Sequence, residues 1–262
     1  MSHEVEIKYR IDDAERQRLV KYFDLAWPMC GSIDLAAATD GAPADVRAFL
    51  AEQDLWPGAA SADQPALALD LHSWVVYDRY FFDYRHLMFR VRLQVDASRG
   101  EVQAEITHKQ ADAKIGDAVD RMEINLPISG QGVRAGDFES ILRLMELMNF
   151  RPILVMRKER QYVKLQLGAA APIQSLLFTL DRVHAAPPDP EESQRAPTLE
   201  NDRPWQAIGD FVEVEAMSAD PRNVDFAGRL VSQWAQRLDR DGRWQKEPAG
   251  YFTLATRKLG LQ

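Results

Sequence analysis

The chain has 262 residues, of which 46% are hydrophobic and 27% charged, and its formal net charge is −8. This composition supports a sizeable core and excludes a globally disordered chain. The acidic balance argues against nucleic acid and anionic membranes as partners, so any polyanionic ligand requires a local basic pocket.

Cysteine content and the distribution of apolar residues restrict the cofactor and the location. Cys30 is the only cysteine, which excludes an internal disulfide and any multi-cysteine zinc site. No window contains the roughly 18 apolar residues of a membrane span. The opening residues 1–4 lack the basic and apolar regions of a signal peptide. A cytoplasmic protein without a membrane partner is therefore predicted.

Taken in chain order, the residue patterns predict eight strands with helices between them. Alternating and β-branched patterns indicate strands over residues 3–11, 73–82, 87–95, 101–109, 120–127, 153–167, 175–183 and 210–217. Helical spacing and capping residues indicate helices over residues 14–23, 43–53, 137–148 and 223–238. Because βαβ alternation is missing, an antiparallel sheet or barrel follows more naturally than a parallel sheet.

Two segments interrupt this pattern. Residues 25–71 are rich in Ala, Asp, Gly and Pro and are predicted to form an insertion or a partly ordered flap. Residues 185–202 are rich in Pro and acidic residues and are predicted to form a flexible, solvated loop. The sequence shows no repeat of fixed period. We predict one domain over residues 1–262, with the insertion inside it.

Two of the predicted strands carry glutamates at every second residue. Glu4, Glu6 and Lys8 share one face of the first strand, and Glu213 and Glu215 repeat the spacing near the other end of the chain. Such pairs can reach one hard cation, because Mg²⁺ prefers oxygen ligands and often binds through one or two carboxylates plus substrate phosphates. A solvated outer face is the alternative for each pair alone. The presence of two pairs favours metal binding.

Basic residues follow the same spacing on other strands. Arginine suits contact with phosphate through two hydrogen bonds, and lysine supplies a compact charge. Cross-strand salt bridges, each contributing only about 0.2–1 kcal/mol, are the alternative explanation. The residues concerned are Arg90, Arg92, Lys109, Arg121, Lys158 and Arg160, with Glu123 on the same face as Arg121.

Asp181 lies inside an otherwise apolar strand, where an unpaired carboxylate is costly. It is therefore predicted to be either a ligand or a salt-bridge partner. Other chemistries lack their motifs in this chain. The five histidines show no metal-ligand spacing, and the sequence contains neither a Gly-x-Ser-x-Gly elbow nor a Gly-x-x-x-x-Gly-Lys phosphate loop.

The opening Glu4-Val5-Glu6-Ile7-Lys8 resembles the ExExK signature of the CYTH superfamily, the triphosphate tunnel metalloenzymes. The later charges follow in the order of that family. They are Arg90-x-Arg92 after the aromatic Tyr80-Phe81-Phe82-Asp83, then Lys109, Arg121-x-Glu123, Lys158-x-Arg160, Asp181 and Glu213-x-Glu215. Gly250-Tyr251-Phe252 is similar to the start of the family's C-terminal helix. The resemblance spans nearly the whole chain.

The resemblance implies an α+β fold with an eight-stranded antiparallel β-barrel. The lumen of such a barrel binds triphosphate through basic residues and one or two divalent metals, Mg²⁺ or Mn²⁺, through acidic residues. The implied metal ligands are Glu4, Glu6, Glu123, Asp181, Glu213 and Glu215. The implied phosphate ligands are Lys8, Arg90, Arg92, Lys109, Arg121, Lys158 and Arg160. Asn125 stands where a second acid often follows Glu123, which leaves open whether one or two metals bind.

The predicted activity is hydrolysis of the terminal phosphoryl group of inorganic triphosphate or of an organic triphosphate, such as thiamine triphosphate or a nucleoside triphosphate. Lys158, Glu6 and Glu215 are the predicted catalytic residues, since phosphoryl transfer needs mainly positioning and charge neutralisation. Two alternatives stay open: an adenylyl cyclase of the same superfamily, which makes cyclic AMP from ATP, and a non-catalytic module that binds polyphosphate or nucleotide. The oligomeric state is either monomer or homodimer.

Overall fold

The computed structural model describes most of the predicted elements. The described ranges are residues 2–26, 33–34, 68–82, 88–96, 102–109, 113–115, 118–128, 135–166, 172–188 and 204–261. The predicted helix over residues 43–53 lies outside these ranges, as does most of the predicted insertion at 25–71. The single-domain assignment therefore stays a prediction.

The described part of the chain contains eleven strands and four α-helices. The strands are β1 (Ser2–Ile11), β2 (Ile33–Asp34), β3 (Ala68–Phe82), β4 (Met88–Asp96), β5 (Val102–Lys109), β6 (Ala113–Ile115), β7 (Ala118–Pro127), β8 (Arg151–Gln166), β9 (Ser175–Ala186), β10 (Gln206–Ser218) and β11 (Gln245–Lys246). The helices are α1 (Asp13–Ala26), α2 (Ala135–Leu147), α3 (Val224–Leu238) and α4 (Tyr251–Leu259), with a 3₁₀ turn at Pro221–Asn223.

The eight long strands pair in a ring. Their order is β1-β10-β9-β8-β3-β4-β5-β7, every pairing is antiparallel, and β7 pairs again with β1. Glu6, for example, lies opposite Glu215 of β10 on one side and Val119 of β7 on the other. The predicted α+β fold with an eight-stranded antiparallel barrel is therefore confirmed.

Several predicted boundaries shift in the structure. The loop predicted over residues 185–202 begins later, because Ala185 and Ala186 are buried and paired within β9. Residues 189–202 lie outside the described part. The segment 25–71 contains the end of α1, the short strand β2 and the start of β3 at Ala68.

The outer face of β1, β10 and β9 packs against α1 and α3. Val5 and Ile7 of β1 join Leu19 of α1 and Trp234 of α3 in one apolar cluster. Trp234 also lies next to Phe178 of β9, with ring centroids 6.0 Å apart. Because successive strand residues point to opposite faces, packing Val5 and Ile7 outward turns the alternate, charged residues of β1 into the barrel.

A second helix covers another part of the barrel wall. Leu142 and Met145 of α2 pack against Phe81 of β3 and against Val91 and Leu93 of β4. The apolar residues of this wall again alternate with the charged residues of the same strands. The helices thus stabilise the barrel from outside and leave its interior to polar side chains.

The C-terminal helix α4 covers one end of the interior. It begins at Tyr251, where the family resemblance places a helix start, and ends before Gly260, whose φ of 67° is the left-handed conformation that favours glycine. Tyr251 and Ala255 pack against Met156 of β8 and Phe211 of β10. The interior therefore changes from charged to apolar towards α4. None of the helices in the described ranges has the length and apolar character needed to cross a membrane.

Candidate active site inside the barrel

The barrel encloses a cavity of about 490 Å³ lined by charged side chains from several strands. Acidic and basic residues contribute in nearly equal number. They point inward because alternate residues of each strand face the interior. The charged residues that line it are Glu4, Glu6, Lys8, Arg90, Arg92, Glu105, Lys158, Arg160, Lys164, Glu213 and Glu215. The structure thus brings together nine of the residues that the sequence singled out.

The glutamates lie on two neighbouring strands. Glu6 of β1 is directly opposite Glu215 of β10, and Lys8 is opposite Glu213. Glu6 and Glu215 are only 8% and 9% exposed. Directly opposed side chains have Cβ atoms about 4.5–5.5 Å apart, and like charges at that spacing are destabilising. A cation held between them removes this cost.

This donor set fits a hard divalent cation that shares its ligands with a substrate. Among the described side chains, no group of three or more His, Cys, Asp or Glu residues is arranged to hold a metal alone. Mg²⁺ usually binds proteins through one or two carboxylates and completes its octahedron with water and substrate phosphates. The opposed Glu6 and Glu215 meet that need, and Glu4 and Glu213 lie two residues away on the same strand faces.

Asp78 of β3 organises the basic residues of β4 and β8. Its Oδ1 accepts a hydrogen bond from Nε of Arg92 at 2.7 Å, and its Oδ2 accepts one from Nη2 at 3.1 Å. Nζ of Lys158 lies 2.8 Å from Oδ2, and Nε of Arg90 lies 4.0 Å from Oδ1. Burial acts to raise the pKa of Asp78, but Arg92, Lys158 and Arg90 hold it well below its usual value.

Asp181 of β9 forms a similar arrangement with Arg160. Nε and Nη2 of Arg160 donate to its two oxygens at 2.7 and 2.6 Å, and the hydroxyl of Tyr251 donates to Oδ2 at 3.1 Å. Asp181 is fully buried and does not line the cavity. Of the two roles predicted for it, the structure shows the salt bridge. A role in metal binding stays a prediction.

Lys158 is less exposed than the other buried basic side chains that line the cavity. It is 1% exposed, and its Nζ lies 4.7 Å above the ring centre of Tyr251. Burial lowers the pKa of Lys158 to about 8, while Asp78 raises it and the neighbouring Arg92 and Arg160 lower it. The side chain therefore keeps most of its charge at neutral pH and titrates just above it.

Arg90 adds a hydrogen-bond donor to the cavity wall. Its Nη2 donates to Oγ1 of Thr107 at 2.9 Å and to Glu105 at 3.3 Å. Its Nε is buried and has no hydrogen-bond partner among the described residues. A buried donor without a partner costs free energy, which an oxygen-rich ligand bound in the cavity can recover.

Three predicted site residues can be placed by strand register only. Arg121 of β7 is opposite Glu4 of β1, and Lys109 of β5 is opposite Glu123 of β7. Their side chains lie outside the described part of the structure, as does that of Asn125. Their roles in binding phosphate or metal therefore stay predictions.

The sequence had not assigned five residues to the site that they line or organise: Asp78, Glu105, Thr107, Lys164 and Tyr251. For Asp78 a signal was present, because it interrupts a β-branched and aromatic strand just as Asp181 does. Tyr251 carried no comparable signal, since an aromatic residue at a helix start is more often part of a core. Its position above Lys158 becomes visible only when α4 is placed at the barrel end.

Barrel closure and charge alternation together define a class: an antiparallel tunnel lined by acidic and basic side chains. The CYTH domain family model matches residues 69–243, more than half of the chain, and the chain belongs to this family. The family predicted from the sequence motifs is thereby confirmed.

Several solved structures are similar to this chain at low sequence identity. The PH1819 protein of Pyrococcus horikoshii OT3 is 15% identical with a TM-score of 0.52, and the alignment covers 97% of this chain and 99% of that one. A conserved hypothetical protein of Pyrococcus furiosus is 15% identical with a TM-score of 0.47, covering 96% and 99%. HpAC1 from Hippeastrum, described as having a dominant triphosphatase activity, is 12% identical with a TM-score of 0.44, covering 97% and 96%. No curated protein matches the chain.

Proposed function

We propose that the protein hydrolyses the terminal phosphoryl group of a triphosphate bound in the barrel together with Mg²⁺ or Mn²⁺. One observation carries the proposal: five buried basic side chains line the same cavity as the opposed carboxylates of Glu6 and Glu215. Basic residues alone suit any polyanion. A carboxylate pair beside them suits a polyanion that binds with a divalent metal. Membership of the CYTH family supports the same proposal.

The basic residues approach the cavity from three strands of the ring. Arg90 and Arg92 extend from β4, Lys158 and Arg160 from β8, and Lys8 from β1. In the proposed complex they bind the phosphate oxygens along the length of the triphosphate. This arrangement fixes the chain of phosphates and neutralises its charge, which is most of what phosphoryl transfer requires.

Glu6 and Glu215 hold the metal in this proposal, with Glu4 and Glu213 beside them. A bound divalent metal supplies positive charge to the phosphate oxygens as the reaction proceeds. Lys158 has a separate task, because its ammonium group lies in a water-poor part of the barrel. There it stabilises the charge that develops on the transferred phosphoryl group, and low solvent access strengthens that interaction.

Product analysis tests the proposal directly. Purified protein is incubated with tripolyphosphate, thiamine triphosphate or ATP, with Mg²⁺, with Mn²⁺ or with a chelator, and orthophosphate, pyrophosphate and cyclic AMP are measured. We expect orthophosphate from at least one substrate, and only when a divalent metal is present.

Two other outcomes contradict the proposal. Pyrophosphate together with cyclic AMP from ATP identifies a cyclase, and binding without turnover identifies a binding module. The substrate that gives the highest kcat/KM identifies the preferred triphosphate. The cytoplasmic location stays a prediction from the sequence.

A further inference from the structure

Asp78 is a buried acid in the barrel wall to which the proposed reaction assigns no role. It is 0% exposed and shares one face of β3 with Val76 and Tyr80. A carboxylate at such a site is stable only when charged partners surround it. Those partners come from both sides, since β3 lies between β4 and β8 in the ring.

We propose that Asp78 is a positioning residue that fixes Arg92 and Lys158 for phosphate binding and holds Lys158 in its charged form; this inference rests on the proposed function. Asp78 joins two basic side chains that come from β4 and β8, the strands on either side of β3.

The geometry at Arg92 supports the first half of this inference. Asp78 accepts hydrogen bonds from Nε and Nη2, on one edge of the guanidinium. Nη1 faces the cavity side, where Glu105 lies 3.5 Å away. One edge of Arg92 is thus fixed by the wall and the other is presented to the lumen. A donor fixed in advance loses less conformational entropy when it binds phosphate.

The surroundings of Lys158 support the second half. The charged and titratable groups that face it are Asp78 of β3, Arg92 of β4, Arg160 of its own strand, Asp181 of β9 and Tyr251 of α4. Asp78 is the acid in direct contact, at 2.8 Å. Without the negative charge of Asp78, Lys158 is left beside Arg92 and Arg160 in a buried site. It then loses its proton at a lower pH.

The test compares Asp78→Asn with a matched control, Asp210→Asn. Asp210 also accepts two hydrogen bonds from one arginine, Arg182, at 2.9 and 3.3 Å, but it does not line the cavity. Calorimetric affinity for tripolyphosphate with Mg²⁺ and, where turnover occurs, kcat/KM are measured from about pH 6 to pH 10. The pH dependence of kcat/KM reports groups of the free protein, and that of the affinity reports groups whose pKa changes on binding.

We expect binding by the wild type to weaken above about pH 8, where Lys158 loses its charge. In Asp78→Asn the pH at which binding weakens is lower by at least about one unit. In Asp210→Asn it stays in place. If Asp78→Asn merely lowers affinity by the same factor at every pH, the residue has a structural role only and the inference is wrong.

A double mutant adds a second readout. In a Lys158→Gln background, Asp78→Asn is expected to lower affinity by a smaller factor than it does in the wild type, because part of its effect passes through Lys158. Equal factors in the two backgrounds contradict the inference.

If Asp78→Asn does not fold, the variant Arg92→Lys tests the inference instead, because it keeps the positive charge but loses the two hydrogen bonds to Asp78. A loss of affinity of about tenfold or more is expected, and unchanged affinity overturns the inference.

The two proposals fail in distinguishable ways. A wild-type protein that binds tripolyphosphate but hydrolyses none of the three triphosphates contradicts the proposed function, while its binding curves still support or contradict the role of Asp78. A wild-type protein that hydrolyses tripolyphosphate while Asp78→Asn keeps its alkaline decrease contradicts only the role of Asp78. A protein that neither binds nor hydrolyses any of tripolyphosphate, thiamine triphosphate and ATP contradicts both.

Discussion

Two buried aspartates determine how the interior arginines are held. Asp78 accepts hydrogen bonds from Nε and Nη2 of Arg92, and Asp181 accepts them from the same two atoms of Arg160. A guanidinium bound in this way is oriented by two hydrogen bonds rather than by one, so its direction is fixed as well as its charge. The interior is therefore a network whose acids orient its bases, and not a set of independent charges.

The low pKa of Asp78 predicts a specific sensitivity to acid. A carboxyl group with a folded pKa below its unfolded value of about 3.9 contributes stability at higher pH and loses that contribution as pH falls towards the folded pKa. We expect wild type to exceed Asp78→Asn in free energy of unfolding by about 3–5 kcal/mol near neutral pH. The difference should shrink below about pH 4.

Urea unfolding at a series of pH values measures this difference. Asp210→Asn serves again as a control for a half-buried acid outside the cavity. A difference between wild type and Asp78→Asn that is the same at about pH 7 and pH 3 means that Asp78 is not ionised in the folded protein.

The predictability of single residues depended on their neighbours in sequence. Glu4 and Glu6 were found because they repeat at the spacing of a strand face and resemble a family signature. Asp78 shares its strand face with Val76 and Tyr80 and lacks a charge two residues away, so its one signal is that it interrupts a β-branched and aromatic strand. Its importance comes from Arg92 of β4, the next strand in sequence, and from Lys158 of β8, a strand that no local pattern identifies as a neighbour of β3.

The elements outside the barrel stabilise it without forming the site. Trp234 of α3 is 2% exposed and packs against Phe178 on the outer wall. We expect Trp234→Ala to lower the free energy of unfolding by about 3–5 kcal/mol, as large-to-small core substitutions do. At temperatures where the variant stays folded, its KM for triphosphate should equal that of wild type.

Denaturant unfolding and steady-state kinetics check this prediction. Leu147→Ala is the matched control, because Leu147 is 75% exposed and its truncation should change stability by less than about 0.5 kcal/mol. A changed KM in folded Trp234→Ala would show that the outer helix also shapes the cavity.

The length of an element decided whether the sequence revealed it. The eight long strands each contain several alternating residues, and all were predicted with ends within a few residues, except that β3 begins at Ala68 rather than 73. The strands β2, β6 and β11 span only two or three residues, too few to show a period of two. They form because longer strands beside them offer unpaired backbone groups.

At the scale of the whole molecule, ring closure turns separate charged faces into one site. The pairing of β1 with β7 joins strands more than a hundred residues apart in sequence. Local alternation shows which side of each strand is charged, but not which strands are neighbours. The barrel was predicted through the family resemblance and the number of charged faces, whereas the opposition of Glu6 and Glu215 required the register.

The central claim is that a metal held by the opposed glutamates makes the barrel a triphosphatase. The most direct measurement is orthophosphate release from tripolyphosphate by wild type, Glu6→Gln and Glu215→Gln with saturating Mg²⁺. Asp241→Asn is the control, since this acid is 59% exposed and lies outside the cavity. The account predicts that each glutamine variant stays folded and loses at least about 100-fold in kcat, while Asp241→Asn keeps the wild-type rate. Wild-type turnover by folded Glu6→Gln and Glu215→Gln would contradict it.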